Sequence, residues 1–95
     1  MSKACFDPLI HANNRLQICA LLESVDEMEF SVVKAQLAVS DSVLSKHVKA
    51  LEQAGYIAVN KRTSLARQRT WLSLTRAGEA AYQRHVAALR EIVGF

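Results

Sequence analysis

Cysteine, proline and glycine are all scarce in this sequence, and the shortages exclude several classes of protein. Two cysteines, Cys5 and Cys19, among 95 residues form no Cys-x-x-Cys pair and no disulfide framework, which is typical of a reducing compartment. Internal repeats and low-complexity tracts are absent. No apolar run reaches about 18 residues, and no basic-then-apolar segment opens the chain. We therefore expect a soluble cytoplasmic protein with no membrane association.

The motifs of enzymes and metal centres are also missing. None of the three glycines belongs to a glycine-rich phosphate loop, and neither paired carboxylates nor a Ser/His/Asp arrangement is present. We expect no enzymatic activity and no cofactor. Cys5, Cys19, His11 and His85 lack the spacing of metal ligands, so we expect no metal site. The default interpretation of both cysteines is a small buried apolar side chain.

What the chain does contain is enough apolar residues for one core and an uneven charge. Hydrophobic residues make up 51%, and the length fits a single domain over residues 1–95. A chain of this size buries only about 60–65% of its unfolded surface, so a partner subunit would add stability. The net charge of +3 divides into −2 over residues 1–40, +5 over 41–76 and zero over 77–95. The central stretch therefore has the charge that binding an anion requires.

Helical spacing of apolar residues predicts four helices, at about residues 8–23, 32–38, 41–54 and 76–93. Between the last two, the period changes to two, which predicts strands at about residues 56–62 and 69–74. Their link contains neither glycine nor proline, so its turn type stays open. Glu29 and Phe30 could add a short third strand. Candidate helix caps are Asp7 with Pro8, Ser31, Ser40 or Asp41, Gly55 and Thr75.

This element order predicts an α+β, mainly helical fold: a winged helix-turn-helix with three helices, a two-stranded β-hairpin wing and a C-terminal helix. The second helix of such a motif enters the DNA major groove. In residues 41–54 the apolar positions Leu44, Val48 and Leu51 turn inward. The side chains predicted to contact DNA from the opposite face are Ser42, Val43, Ser45, Lys46 and Lys49.

The hairpin repeats the same chemistry around its link. Lys61, Arg62, Arg67 and Arg69 are predicted to follow the DNA backbone or to enter a narrow minor groove. His47 lies at the edge of the inward face, so a packed histidine is favoured over a base contact.

Three segments together resemble MarR-like and ArsR-like winged-helix regulators. Residues 41–57 (DSVLSKHVKALEQAGYI) resemble a recognition helix and first wing strand, and residues 74–78 (LTRAG) resemble the entry to the C-terminal helix. Residues 10–22 (IHANNRLQICALL) are similar to an ArsR-like first helix. The resemblance is closest to minimal, single-domain MarR-like proteins. It implies a homodimeric regulator of a palindromic double-stranded DNA operator, with contacts from the recognition helix and from the wing near Arg67.

The sequence departs from this pattern in two places. The wing lacks the usual glycine or proline, and the cysteine pair of metal-sensing relatives is absent from residues 30–34. The apolar excess in the terminal helices predicts a two-fold dimer with recognition helices about 34 Å apart. The predicted dimer-interface residues are Phe6, Leu9, Ile10, Tyr82, Val86, Leu89, Ile92 and Val93.

The function is predicted to be sequence-specific DNA binding by a repressor. The alternative is a winged-helix protein-interaction or dimerisation module without DNA readout. A third interpretation is a repressor with an unknown small-molecule effector, bound in a pocket between the first and last helices.

Overall fold

Five helices and a three-stranded antiparallel sheet make up the computed structural model, which describes residues 7–94. The sheet has the order β1-β3-β2. This arrangement confirms the mainly helical α+β winged-helix architecture. The elements are α1 (Pro8–His11), α2 (Asn13–Glu23), β1 (Met28–Glu29), α3 (Phe30–Leu37), α4 (Asp41–Gln53), β2 (Ile57–Ser64), β3 (Arg67–Leu74) and α5 (Arg76–Val93).

The predicted first helix is in fact two, because the helix is interrupted at Ala12. The Ala12 backbone is extended, with φ −56° and ψ 133°. Asp7 caps α1 as predicted, since its Oδ1 accepts from the amides of Leu9 and Ile10 at 2.9 and 3.3 Å. The break frees the carbonyl of Leu9, which accepts a hydrogen bond from Arg15 Nε instead. A side chain from α2 thus satisfies a backbone group that a continuous helix would have paired.

Several of the remaining helix ends follow local sequence chemistry. Ser40 Oγ accepts from the amide of Val43 at 3.2 Å, Thr75 Oγ1 accepts from that of Gly78 at 2.9 Å, and Gly55 has φ +81° after α4. The prediction that Ser31 caps the second helix is wrong. That helix begins at Phe30 directly after β1, and no side chain caps it.

The core lies between the helices and one face of the sheet. Ile18 and Leu22 of α2, Leu44 and Leu51 of α4, and Leu72 of β3 are all 1% exposed or less. The third strand is Met28–Glu29 rather than the predicted pair, with Met28 opposite Leu72 and Glu29 opposite Trp71. The burial of Leu44 and Leu51 positions α4 with its opposite face outward.

The wing ends in a two-residue turn at Leu65 and Ala66, since Ser64 pairs with Arg67 in the β2–β3 ladder. Both turn residues have positive φ, +52° and +62°, as a type I′ hairpin turn requires. A residue with a Cβ adopts this conformation at a cost of about 1–2 kcal/mol. The predicted link at residues 63–68 is therefore mostly strand, and the wing is longer than the sequence pattern indicated.

Candidate nucleic-acid interface

The outer face of α4 presents the predicted recognition residues to solvent. Because Leu44, Val48 and Leu51 are buried, residues at helical spacing on the other side are exposed. Val43 is 39% exposed, an apolar side chain among polar ones. The predicted contact residues on this helix are all exposed: Ser42, Val43, Ser45, Lys46 and Lys49.

An ion pair lies at the start of this helix. Asp41 is the acidic residue in the first turn of α4, and Lys34 Nζ of α3 lies 2.8 Å from its Oδ1. Exposed pairs such as this one add little to stability. The pair places a positive charge next to Asp41 and so partly offsets the negative charge at the start of α4.

His47 packs against α2, as the sequence analysis favoured. Its Nδ1 lies 3.3 Å from Arg15 Nη1, and its Nε2 lies 3.4 Å from the Asn14 side-chain amide. Desolvation lowers the pKa of His47, and the charges of Arg15 and Lys46 lower it further. The neutral imidazole therefore joins α4 to α2.

The four predicted wing cations divide into two kinds. Arg62 and Arg69 are the paired kind. Arg62 Nη2 lies 2.5 Å from Glu27 Oε2, and the Arg62 guanidinium carbon lies 4.6 Å from the centroid of the Trp71 ring. Arg69 donates to both carboxylate oxygens of Glu29, at 3.0 and 3.1 Å.

Lys61 and Arg67, by contrast, are exposed and form no ion pair within residues 7–94. Lys61 and Lys49 line one groove between α4 and the wing, together with the acidic Asp41 and Glu52. Unpaired positive charge is therefore present both on α4 and on the wing.

The acidic partners of Arg62 and Arg69 are not evident from the sequence. Glu27 and Glu29 are 35 and 40 residues away from those arginines along the chain. They meet only because β1 pairs with β3, and a two-residue strand has almost no sequence signal.

A family model for winged helix DNA-binding domains matches residues 14–93 of the chain. The chain belongs to this family. An uncharacterized protein of Methanocaldococcus jannaschii is 28% identical over 78 residues, which cover 82% of this chain and 85% of the relative.

Solved structures share the same winged-helix fold. A transcriptional regulator homologue of Pyrococcus horikoshii superimposes with a TM-score of 0.85 at 23% identity, over 90% of this chain and 85% of that one. The heme sensor protein PefR of Streptococcus agalactiae, solved in complex with heme, gives 0.71 at 22% identity, over 90% and 62% of the two chains. The family match and the shared fold confirm the predicted winged-helix DNA-binding domain.

The residues predicted at a dimer interface do not all lie on the surface of this winged-helix domain. Ile10 is fully buried in the core, because the break at Ala12 turns α1 onto the domain, so its assignment to an interface is wrong. Phe6 lies outside the described residues. Leu9, Tyr82, Val86 and Leu89 are half-buried. Ile92 and Val93, at the end of α5, are 67% and 61% exposed.

A buried histidine joins the start of the described chain to α5. His85 is completely buried, and its Nδ1 accepts the backbone N–H of Asp7 at 3.0 Å. Tyr56 donates its hydroxyl to Asp7 Oδ2 at 2.9 Å. Burial lowers the pKa of His85 and nearby His11 lowers it further, while Asp7 opposes both effects. His85 is therefore a neutral structural residue within the fold.

Cys19 is an apolar core residue, as predicted. Its side chain is completely buried, and burial followed by the charge of Asp7 raises the pKa of the thiol to about 11. Cys5 lies outside the described residues. Within residues 7–94, no cluster of three or more His, Cys, Asp and Glu side chains is placed to hold a metal ion. The helices in the same range include none that is long and apolar enough to span a bilayer.

Proposed function

We propose that this winged-helix domain is a homodimeric transcriptional repressor that binds a palindromic operator. The observation that carries the proposal is the outer face of α4, where serines and lysines are exposed over a buried Leu44–Val48–Leu51 anchor. The major groove admits one α-helix. With α4 bound in the major groove, the protein would repress by covering the operator, which requires no catalytic step.

Each side chain on the α4 face has a role that follows from its chemistry. Ser42 and Ser45 hydroxyls hydrogen bond to base edges, and Val43 packs on a thymine methyl group. Lys46 and Lys49 bind phosphate oxygens and set the position of the helix.

The wing adds a second point of contact in this proposal. Lys61 and Arg67 are free to bind phosphates along the adjacent groove. Arg62 and Arg69 hold the wing against β1 through Glu27 and Glu29. We therefore assign them to orienting the wing rather than to contacting DNA.

The dimer is proposed from the exposed apolar end of α5. Ile92 and Val93 are more than half exposed, and Leu89 and Val86 continue the same helix toward the core. Isolated exposed apolar residues are common, but adjacent ones on a terminal helix favour an interface. Packing two such helices about a two-fold axis would present two α4 helices to half-sites about 10 base pairs apart.

The salt dependence of binding tests the DNA interface. The probe is a duplex enriched by the wild-type protein from a randomised pool. Lys46→Ala and Lys49→Ala should each weaken binding to all sequences alike and reduce the salt slope by about one. Ser45→Ala should instead change the preference at one base pair. Arg84→Ala, which removes an exposed charge from α5, is the matched control and should leave the slope unchanged.

Two results would overturn this assignment. Lysine variants with the wild-type salt slope would show that α4 does not face phosphates. No salt-dependent retention of the wild-type protein on duplex DNA would favour a protein-interaction module instead.

Sedimentation tests the dimer separately. The wild-type chain should sediment as a dimer at micromolar concentration, and Ile92→Glu should dissociate it by placing a charge in an apolar contact. Gln83→Glu, an exposed change on the same helix, is the control. A wild-type monomer would remove the dimer from the proposal.

An effector is not part of this proposal. The pocket between the end of α2 and α5, lined by residues that include Glu23, Tyr82 and Arg90, encloses about 260 Å³. Ligand sites usually enclose about 300–1,000 Å³, so this pocket is smaller than a usual ligand site.

A further inference from the structure

The tip of the wing combines two features that are unfavourable in the free protein. Leu65 is 94% exposed, the most exposed large apolar side chain of residues 7–94. Leu65 and Ala66 also have the positive φ values of a turn that favours Asn-Gly. Backbone strain of this kind in an exposed turn is a reason to search for a function.

The tip is also held away from the rest of the domain. β1 pairs with β3 only at Trp71 and Leu72, and Trp71 lies opposite Asn60. Beyond that position the wing is a two-stranded arm, which reaches Ser64 after roughly 13 Å at about 3.3 Å per residue. Every residue from 60 to 68 is exposed. Nothing in residues 7–94 therefore covers Leu65.

Charge indicates what the tip meets. Arg67 directly follows the turn, and Lys61 lies on the preceding strand; both are exposed and unpaired within residues 7–94. The arm from residue 61 to residue 69 contains no acidic residue, and two of its four cations, Arg62 and Arg69, are already paired with Glu27 and Glu29, so its unpaired charge is that of Lys61 and Arg67. A polyanion fits this surface better than an apolar protein patch does.

We propose that Leu65 is an apolar contact of the DNA minor groove, where it partly unstacks one base step in each half-site. This inference rests on the proposed function. The minor groove is about 6 Å wide, too narrow for a two-stranded arm but wide enough for one side chain. Apolar side chains, leucine among them, act as wedges there. Lys61 and Arg67, on the two strands behind the tip, would bind the flanking phosphates.

The wedge predicts a sequence preference that involves no hydrogen bond. Pyrimidine–purine steps such as TA and CA/TG unstack most easily. Duplexes with such a step beneath the wing tip should therefore bind more tightly than those with a stiff A-tract there.

The decisive variant replaces Leu65 and Ala66 together, as Leu65→Asn with Ala66→Gly. Asn-Gly is the preferred type I′ pair, so the hairpin is kept and the thermal midpoint should equal or exceed that of the wild type. Loss of the apolar contact should weaken binding to the enriched duplex by about 10-fold to 100-fold. The salt slope should not change, since no phosphate contact is removed. Leu65→Met keeps the apolar volume and should bind within about threefold of the wild type.

The position of the contact is measured with 2-aminopurine, whose fluorescence rises when it is unstacked. Placed in turn along the enriched duplex, it should brighten at one step per half-site with the wild-type protein. The double variant should give no such increase.

Each contrary result has a distinct meaning. If the wild-type chain does not bind duplex DNA, the proposed function and this inference both fail. If it binds and the double variant binds equally well, or no step brightens, only the inference fails. A double variant that binds DNA normally but changes its sedimentation would show that the tip contacts a protein, which also overturns it.

Discussion

Gly78 packs α5 against the backbone of Tyr56, the residue that precedes β2. Adding one methyl group at Gly78 tests this contact, because it has two opposing effects on stability. Within a helix, replacing glycine by alanine normally stabilises by about 1 kcal/mol. At Gly78, however, a Cβ would lie 2.1 Å from the carbonyl oxygen of Tyr56 and 2.8 Å from its carbonyl carbon. We expect the steric effect to exceed the gain in helix propensity.

The size of the effect follows from the contacts around that carbonyl. Ordinary contact begins at 3.4 Å, so α5 and Tyr56 must separate by more than 1 Å. The same oxygen accepts the amide of Thr75 at 3.0 Å, and losing that bond costs about 1 kcal/mol. Overpacking against backbone adds about 1–3 kcal/mol. After the propensity gain, Gly78→Ala should destabilise by about 2 kcal/mol, which lowers the Tm by roughly 10 °C.

Thermal unfolding followed by circular dichroism measures this change. The matched control is Ala77→Gly at the neighbouring exposed helix position, which should cost about 1 kcal/mol through propensity alone. A Gly78→Ala variant with a Tm above that of the wild type would refute the reasoning, because it would show that propensity decides and that the approach of Tyr56 to α5 is not tight.

Two further predictions concern the pKa values of two histidines and of one buried thiol. The pKa values of His85 and His47 are lowered in the folded state, so below about pH 6.5 the unfolded chain binds more protons than the folded one. The stabilisation that comes from these neutral histidines is therefore complete above that pH, and it is lost as the pH falls through their folded pKa values. The Tm should therefore fall from pH 7 to about pH 5.5 and fall less in His85→Gln; equal slopes would contradict the assignment to His85. In a Cys5→Ser variant the raised pKa of Cys19 should prevent reaction with a thiol reagent until the protein is denatured, so rapid labelling of the native protein would show that the core opens there.

The exposed face of α4 could be predicted from the sequence because everything that defines it is local. Leu44, Val48 and Leu51 recur at helical spacing, so they determine which side of α4 turns inward and, by elimination, which side turns outward. Ser40 and Thr75 act as caps on amides three residues away. Interactions within one helical turn need no knowledge of the rest of the fold.

Tertiary structure decided the features that depend on distant residues. Whether Arg62 and Arg69 are free or paired depends on the register of β1 against β3, which joins residues about 40 positions apart. Ile10 lies in the core of a structure in which the first helix is interrupted at Ala12 and Arg15 satisfies the freed carbonyl of Leu9. Local spacing decided which side chains of α4 are exposed. Long-range strand pairing decided which wing cations stay unpaired, because it brings the carboxylates of Glu27 and Glu29 to Arg62 and Arg69.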